Sequence, residues 1–208
     1  MKIICISDTH NKHEGLILPD ADCIIHAGDF TDAGTKQETI AFLKWFSSLT
    51  YKYKILVAGN HDFYLEKNRR NLNTIIPEDI IYLEDSGIII ENINIWGSPY
   101  IPGTGNWAFL KARGKAILEH WDKIPLNTNI LITHGPAYGI LDELDDKSQI
   151  GCKNLKEKLK ELNVSKHIFG HVHNEYGTVK KFKTLYINSS SLDQRQRILN
   201  APIIVMHD

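Results

Sequence analysis

Ile3-Ile4-Cys5-Ile6 runs directly into Ser7-Asp8-Thr9-His10. A short apolar run rich in β-branched residues forms a strand buried on both faces, and the polar cluster marks its end. The same form returns at Cys23–Ala27 before Gly28-Asp29 and at Ile55–Ala58 before Gly59-Asn60-His61-Asp62. It returns again at Ile130–Thr133 before His134-Gly135 and at His167–Phe169 before Gly170-His171-Val172-His173. In open α/β sheets ligands bind beyond the carboxyl ends of the strands, so polar clusters at such ends are expected to converge on one site.

Between the second and third runs, Thr35 followed by Glu38 predicts a capping box, with Ile40, Leu43, Phe46 and Leu49 recurring at helical spacing behind it. A second helix is expected from about Lys153 to Leu162, where Leu155, Leu159 and Leu162 form one stripe and the lysines a solvated face. A third is expected from roughly Ala108 to Trp121. Ile88–Ile90 and Ile93–Trp96, parted by Glu91-Asn92, predict an antiparallel hairpin, as do Thr178–Phe182 and Leu185–Ile187. Strand–helix–strand units combined with hairpins make an α/β (α+β) chain with mixed sheets and helices outside. No repeat, low-complexity tract or linker interrupts it, so residues 1–208 read as a single domain.

The composition, 42% apolar and 24% charged, is that of an ordinary folded chain, which excludes both disorder and a membrane-embedded protein. A net charge of −1 supplies no overall basic field to gather nucleic acid or to coat a membrane, so phosphate recognition must be local. The apolar run before Asp8 is too short for a signal peptide or a spanning helix, and a cytoplasmic location is expected. Cys5, Cys23 and Cys152 include no C-x-x-C pair, which fits neither a disulfide framework nor a zinc ribbon. Cys5 and Cys23 are expected in the strand core.

Taken singly, the clusters differ in weight. Asp8-x-His10 is common in loops, and Gly28-Asp29 is an ordinary turn. Gly59-Asn60-His61-Asp62 says more, since three side chains able to ligate or to move protons follow a glycine that permits a tight turn. Gly170-His171-Val172-His173 sets two imidazoles two residues apart, where strand alternation would point both the same way and suit a metal. Satisfied core histidines would explain any one of these. What they do not explain is five of the ten histidines, with Asp and Asn, gathered at the ends of apolar runs. His13, His26, His120, His167 and His207 fit no such cluster and read as structural or exposed.

The order D-x-H, G-D, G-N-H-D, H-G and G-H-x-H, spread from Asp8 to His173, resembles the calcineurin-like metallophosphoesterases. The resemblance extends through Ile25-His26-Ala27-Gly28-Asp29-Phe30, Asn106-Trp107-Ala108-Phe109, the run Ile130–Pro136 and Asn200-Ala201-Pro202. That wording is similar to the metallophosphoesterase-domain-containing branch of class III cyclic-nucleotide phosphodiesterases. It implies a two-sheet β-sandwich flanked by helices with metals at the strand ends. Residue by residue, it implies that Asp8, His10 and His173 hold one metal, that Asn60, His134 and His171 hold the other, and that Asp29 bridges them. It further gives His61 the task of binding the phosphate and protonating the leaving oxygen, with Asp62 orienting it.

Manganese or iron is the leading pair of metals on this resemblance. A donor set of oxygen and nitrogen without thiolate leaves Zn, Co, Mg and Ni open as well. Between Tyr100 and Asn106 the chain departs from that branch, with Gly103-Thr104-Gly105 in place of bulkier aromatics, which implies a differently shaped pocket. Trp96 and Trp107 are expected as core rather than as stacking platforms.

The implied reaction is hydrolysis of small phosphodiesters such as cyclic nucleotides by a metal-bridging hydroxide. Inside the clusters there is no Arg or Lys, and the arginines nearest to His61 are Arg69 and Arg70, so a singly charged diester is expected over a monoester dianion. A protein phosphatase or nuclease on the same scaffold, and a non-catalytic metal-binding interaction module, are the alternatives. Arg69-Arg70 and Lys180-Lys181 read more simply as solvated faces than as nucleic-acid contacts.

Overall fold

The computed structural model of the chain describes residues 1–198 and 200–207. Its first half contains β1 (Lys2–Ile6), β2 (Cys23–Ala27), α1 (Lys36–Ser48), β3 (Tyr53–Val57), the short helices α2 (Phe63–Lys67) and α3 (Leu72–Ile75), and β4 (Ile81–Tyr82). Then follow β5 (Ser86–Ile90), β6 (Ile93–Ser98), β7 (Ile101–Pro102), β8 (Leu110–Lys111), α4 (Lys115–Trp121) and β9 (Ile130–Thr133). The last part holds α5 (Lys153–Glu161), β10 (Lys166–Phe169), β11 (Gly177–Lys181), β12 (Thr184–Asn188) and β13 (Ile203–Met206).

Among the described residues the strands form a five-stranded sheet in the order β13-β1-β2-β3-β4, a six-stranded sheet in the order β11-β12-β10-β9-β6-β5, and the small pair β7-β8. Within the first sheet β1, β2, β3 and β4 are parallel and β13 is antiparallel. Within the second, β6, β9, β10 and β12 are parallel, and β5 and β11 are antiparallel edges. This is the expected pair of mixed sheets with helices outside. Both expected hairpins are present, and the first turns through Glu91 and Asn92 at φ 49° and 66°, the left-handed pair that matches the twist of its strands.

Alternation along the strands divides the core in two. Ile3, Cys5, Cys23, Ile25, Ile55 and Val57 of the first sheet meet Ile95, Ile130, Ile132, Ile168 and Ile187 of the second, which makes the interior of a sandwich. The intervening residues, Ile4, Ile6, Ile24, Leu56, Leu131 and Phe169, belong to the cluster that takes in the helices through Phe42, Phe46, Trp121 and Leu155. Strands buried on both faces require unbroken apolar runs, which is what the sequence displays.

In α1 the Glu38 N–H donates to the Thr35 hydroxyl at 3.2 Å and the Thr35 N–H donates to the Glu38 carboxylate at 2.8 Å, completing the capping box. Its buried face is Thr39, Phe42, Leu43 and Phe46; Ile40 falls to the side and is 48% exposed. The expected helix from Ala108 is shorter than its pattern, since α4 starts at Lys115. Phe109 at φ 55° and Gly114 at φ 88° break the helical path, and Leu110–Lys111 pairs with Ile101–Pro102 instead. The Ala108 N–H donates to the Asn60 carbonyl at 3.1 Å and the Phe109 N–H to Glu66 at 2.7 Å, which ties this segment to the third polar cluster. No helix among the described residues is long and apolar enough to cross a membrane.

Candidate metal centre

Because β1, β2 and β3 are parallel in one sheet and β9 and β10 in the other, their carboxyl ends deliver the five clusters to one edge of the sandwich. Backbone bonds tie these ends together: Asp8 N–H to the Gly28 carbonyl at 2.9 Å within the first sheet, Gly170 N–H to that of His134 at 2.9 Å within the second, and Ser7 N–H to that of Ser189 at 3.0 Å between the two. Two buried groups of potential ligands result, Asp8 with His10 and His173, and Asp29 with His134 and His171, and a third and more exposed one, Asp32 with His61, shares His10; the donor atoms of each lie within 4.8 Å of one another. Asn60 joins the second, its Oδ1 at 3.0 Å from His134 Nε2.

Three imidazoles are aimed in the same manner. The Nδ1 atoms of His10, His134 and His173 contact the backbone carbonyls of Thr31, Ala27 and Asp193 at 3.0, 3.0 and 3.1 Å. Nδ1 must carry the proton to donate to a carbonyl, so each neutral ring presents the lone pair of Nε2 inward. His134 Nε2 stands 3.2 Å and His10 Nε2 4.0 Å from Asp29 Oδ2, while His173 Nε2 is 3.6 Å from Asp8 Oδ1. Asp29 therefore lies between the two groups.

The backbone is bent to make this possible. Asp8, His10, Asn11, Asp29 and His171 all have positive φ, between 38° and 70°, a left-handed conformation that side-chain-bearing residues rarely adopt. This corrects the expectation that His171 and His173 point the same way: with His171 at φ 70° the extended alternation ends, and the two rings go to different groups. Gly59 is needed for space rather than for its φ, since a Cβ there would sit 2.3 Å from Asp29 Oδ1. At Gly170 a Cβ would be 2.0 Å from Asp8 Oδ2.

Supporting groups that no single-residue signal marked surround the acids. Asp8 Oδ2 accepts from the hydroxyls of Ser7 at 2.5 Å and Ser190 at 2.8 Å, and the His171 N–H reaches the same carboxylate at 3.0 Å. The signal for Ser190 was its place: Ser189-Ser190-Ser191 follows the apolar β12 as the other clusters follow their strands, but serines are not counted as ligands. Asp29 Oδ1 accepts the His61 N–H at 2.7 Å.

His61 and Asp62 differ from expectation in their relation to each other. The Asp62 carboxylate accepts from the N–H groups of Asp29 and Thr31 at 3.0 Å each, of Gly59 at 2.6 Å, and from the Thr31 hydroxyl at 2.7 Å. The His61 ring contacts the Asp32 carbonyl instead, Nδ1 at 2.6 Å. Orientation of His61 thus falls to a backbone group, and Asp62 organises two loops. Burial and the charge of Asp29 together push the Asp62 carboxyl up to about 7.

The ring of His61 lies between His10 and Trp107, each centroid 4.6 Å away. Trp107 is not core: it is 50% exposed and lines a cleft of about 420 Å³ with Asn60, His171 and Arg113. Trp96 by contrast packs partly buried against the core. Gly103, expected to reshape this region, leaves room for Leu110, which a Cβ would approach to 2.5 Å.

Electrostatics express what the cluster demands. Burial alone would lift the carboxyls of Asp8 and Asp29, yet His173 and His134 hold both well below the usual carboxylate range. Burial alone would depress the imidazoles, yet Asp29 carries His134 up to about 9 and Asp8 carries His173 likewise to about 9. His171, desolvated and beside His134, falls to about 4. A lone pair facing a carboxylate is repulsive unless positive charge stands between them. His10 Nε2, buried and without a hydrogen-bond partner among the described residues, shows the demand unmet. Divalent cations fit these residues: the donors are imidazole nitrogen, carboxylate and amide oxygen, and the outer nitrogens of His10, His134 and His173 are already anchored.

Comparison with known proteins agrees with this geometry. The family model described as Calcineurin-like phosphoesterase matches residues 1–175. The human Metallophosphoesterase domain-containing protein 1 is 36% identical over 98% of this chain and 70% of its own length. The Caenorhabditis elegans UPF0046 protein K07C11.7 is also 36% identical, over 98% of this chain and 74% of its own. Among solved structures, Phosphopantetheinyl Hydrolase from Mycobacterium tuberculosis superposes with a TM-score of 0.64 over 94% of this chain and 90% of that one, at 15% identity, a likeness of fold.

Proposed function

We propose, on the premise that this chain belongs to the calcineurin-like phosphoesterase family, that it hydrolyses small phosphodiesters, cyclic nucleotides among them, with two divalent metal ions. One ion would be held by Asp8, His10 and His173 and the other by Asn60, His134 and His171, with Asp29 shared. The observation that carries this reading is the set of three imidazoles anchored through Nδ1 with Nε2 turned to Asp8 and Asp29. Manganese and iron lead, and Zn, Co, Mg and Ni also take such a donor set.

Bound there, the cations would neutralise phosphate charge and bring a water molecule near its ionised state at neutral pH. The remaining work belongs to the chain. His61, fixed by the Asp32 carbonyl, is placed beside His10 to hold a phosphate oxygen and give a proton to the leaving alkoxide. Trp107 packs against the His61 ring, its centroid 4.6 Å away.

Support for a diester comes from the charge of the cleft. Arg113 is the one cation among the described residues lining it, and its guanidinium donates to the carbonyls of Gly151 at 3.0 Å and Ile150 at 2.8 Å. Arg197 is committed to Asp193 at 2.7 Å and Arg69 to Glu84 at 2.6 Å. A single negative charge suits this surround better than a dianion.

The test is a hydrolysis screen of bis-p-nitrophenyl phosphate, p-nitrophenyl phosphate and the 2′,3′- and 3′,5′-cyclic nucleotides with each candidate metal. The expected result is a higher kcat/KM for the bis ester than for the monoester, with turnover of at least one cyclic nucleotide. The reverse order would sink the diester preference, and no hydrolysis with any metal would leave the non-catalytic alternative.

A further inference from the structure

We propose that the tip of the β11–β12 hairpin docks on an anionic lipid surface, with Phe182 as the inserting side chain and lysines as its electrostatic ring. Phe182 is 99% exposed, in the left-handed turn between the two strands at φ 53°. It is flanked by Lys180, Lys181 and Lys183, and no acidic residue occurs between Glu175 and Asp193. Beside the tip opens a cleft of about 540 Å³, larger than the one at the metal centre. Lys156 and Lys160, one turn apart on α5, join Lys181 and Lys183 at its lining, over apolar surface from Ile140, Leu159 and Tyr186. Positive charge and apolar surface are thus combined at one end of the molecule.

The shape of the anchor selects a lipid surface over an acidic protein. An aromatic that docks in a protein needs a pocket on the partner matched to it, whereas the interface of a bilayer accepts a protruding ring without such a match. Lysines around the anchor would meet anionic headgroups over the short distance that salt leaves unscreened. A chain of net charge −1 has no long-range attraction to membranes as a whole, and a local basic tip needs none.

The topology places this tip away from the metal centre. β12 starts beside it at Thr184 and ends at Asn188, two residues before Ser190, whose hydroxyl reaches Asp8. Five residues of strand separate the two by roughly 17 Å. Docking by the tip uses none of the metal-centre residues, and the proposal does not rest on which ester the metal centre accepts.

The experiment is sedimentation of the full chain with large vesicles of phosphatidylcholine alone and of phosphatidylcholine with one-third phosphatidylglycerol, at low and high salt. The wild-type chain is expected to sediment with the anionic vesicles at low salt, to leave them at high salt and to ignore the neutral ones. Replacing Lys180, Lys181 and Lys183 by serine is expected to weaken binding by roughly a hundredfold, and Phe182→Ser by about tenfold, with unchanged thermal melting as the check on folding. In Phe182→Trp the indole emission should shift to the blue on adding anionic vesicles. Wild-type protein that stays in the supernatant, or binding untouched by both sets of substitutions, overturns the proposal. So does binding to polyglutamate without binding to anionic vesicles, which would make the tip a protein-docking face.

Discussion

The carboxylate of Asp62 accepts the backbone N–H of Asp29 at 3.0 Å, and with its other bonds to Gly59 and Thr31 it holds the loops after β2 and β3 at a fixed separation. The Asp29 carboxylate stands 3.2 Å from His134 Nε2 and 4.0 Å from His10 Nε2, between the two candidate groups, so Asp62, whose own oxygens are taken up by N–H and O–H donors, sets where that carboxylate stands. This gives Asp62 a positioning role toward the backbone.

Asp62→Asn follows directly from that arrangement. An amide presents one oxygen where the carboxylate presents two, so an N–H must face another N–H in a buried place, at a cost of about 2–3 kcal/mol. Urea unfolding should show a loss of that size. Activity should fall by the same factor for good and poor leaving groups, because the proton donor is untouched. A loss confined to poor leaving groups would instead restore Asp62 to the His61 imidazole.

Asp29→Ala should empty both sites rather than one. Its Oδ2 lies 3.2 Å from His134 Nε2 and 4.0 Å from His10 Nε2, atoms of different groups. Elemental analysis of the purified variant is expected to find neither metal at substantial occupancy. Two full equivalents per chain would refute the bridging assignment.

His61→Ala should retain metals and fold, since the His61 ring makes its hydrogen bond to the Asp32 carbonyl and stands outside the buried Asp8 and Asp29 groups, its own grouping being with His10 and the exposed Asp32. The loss of turnover is expected at about 10²–10⁴-fold for esters with poor leaving groups. For p-nitrophenolate, which leaves without a proton, the loss should be much smaller. Equal losses for both would remove the acid role.

Most of the frame was legible because it rests on burial. Runs such as Ile3–Ile6 and Ile130–Thr133 have no exposed position, and that state has a plain signature in sequence. Legibility fails where the backbone leaves regular geometry. Alternation assigned His171 and His173 to one face, and a single left-handed residue separated them. The helical spacing from Ala108 was real but could not outweigh Phe109 and Gly114 in conformations that no helix contains. Trp107 was assigned to the core on the habit of its residue type, although the Ala108 N–H bond to Asn60 holds the segment over the centre. The Asp32 carbonyl, which positions His61, has no signature at all, because every residue carries the same group.

His167 offers a test of acid stability away from the metal ligands. Thr133 donates its hydroxyl to the Gly135 carbonyl at 2.7 Å, so His167 must donate Nε2–H to the Thr133 oxygen at 2.8 Å, and its buried Nδ1 has no partner among the described residues. Burial among Phe169 and Tyr186 pushes this imidazole down to about 3, against an ordinary value of 6.5. The unfolded chain takes up a proton below 6.5 and the folded chain does not until about 3, so the unfolded state binds more protons across that window. Stability therefore falls as pH drops from about 6.5 towards 3, at up to about 1.4 kcal/mol per pH unit for this group. In His167→Gln the amide can still donate to Thr133 and has nothing to titrate. Urea unfolding of both proteins from pH 7 to about pH 4 should show the wild type losing stability more steeply by up to that slope. Parallel curves would mean that His167 is protonated in the folded state, or that it escapes burial before the rest of the chain unfolds.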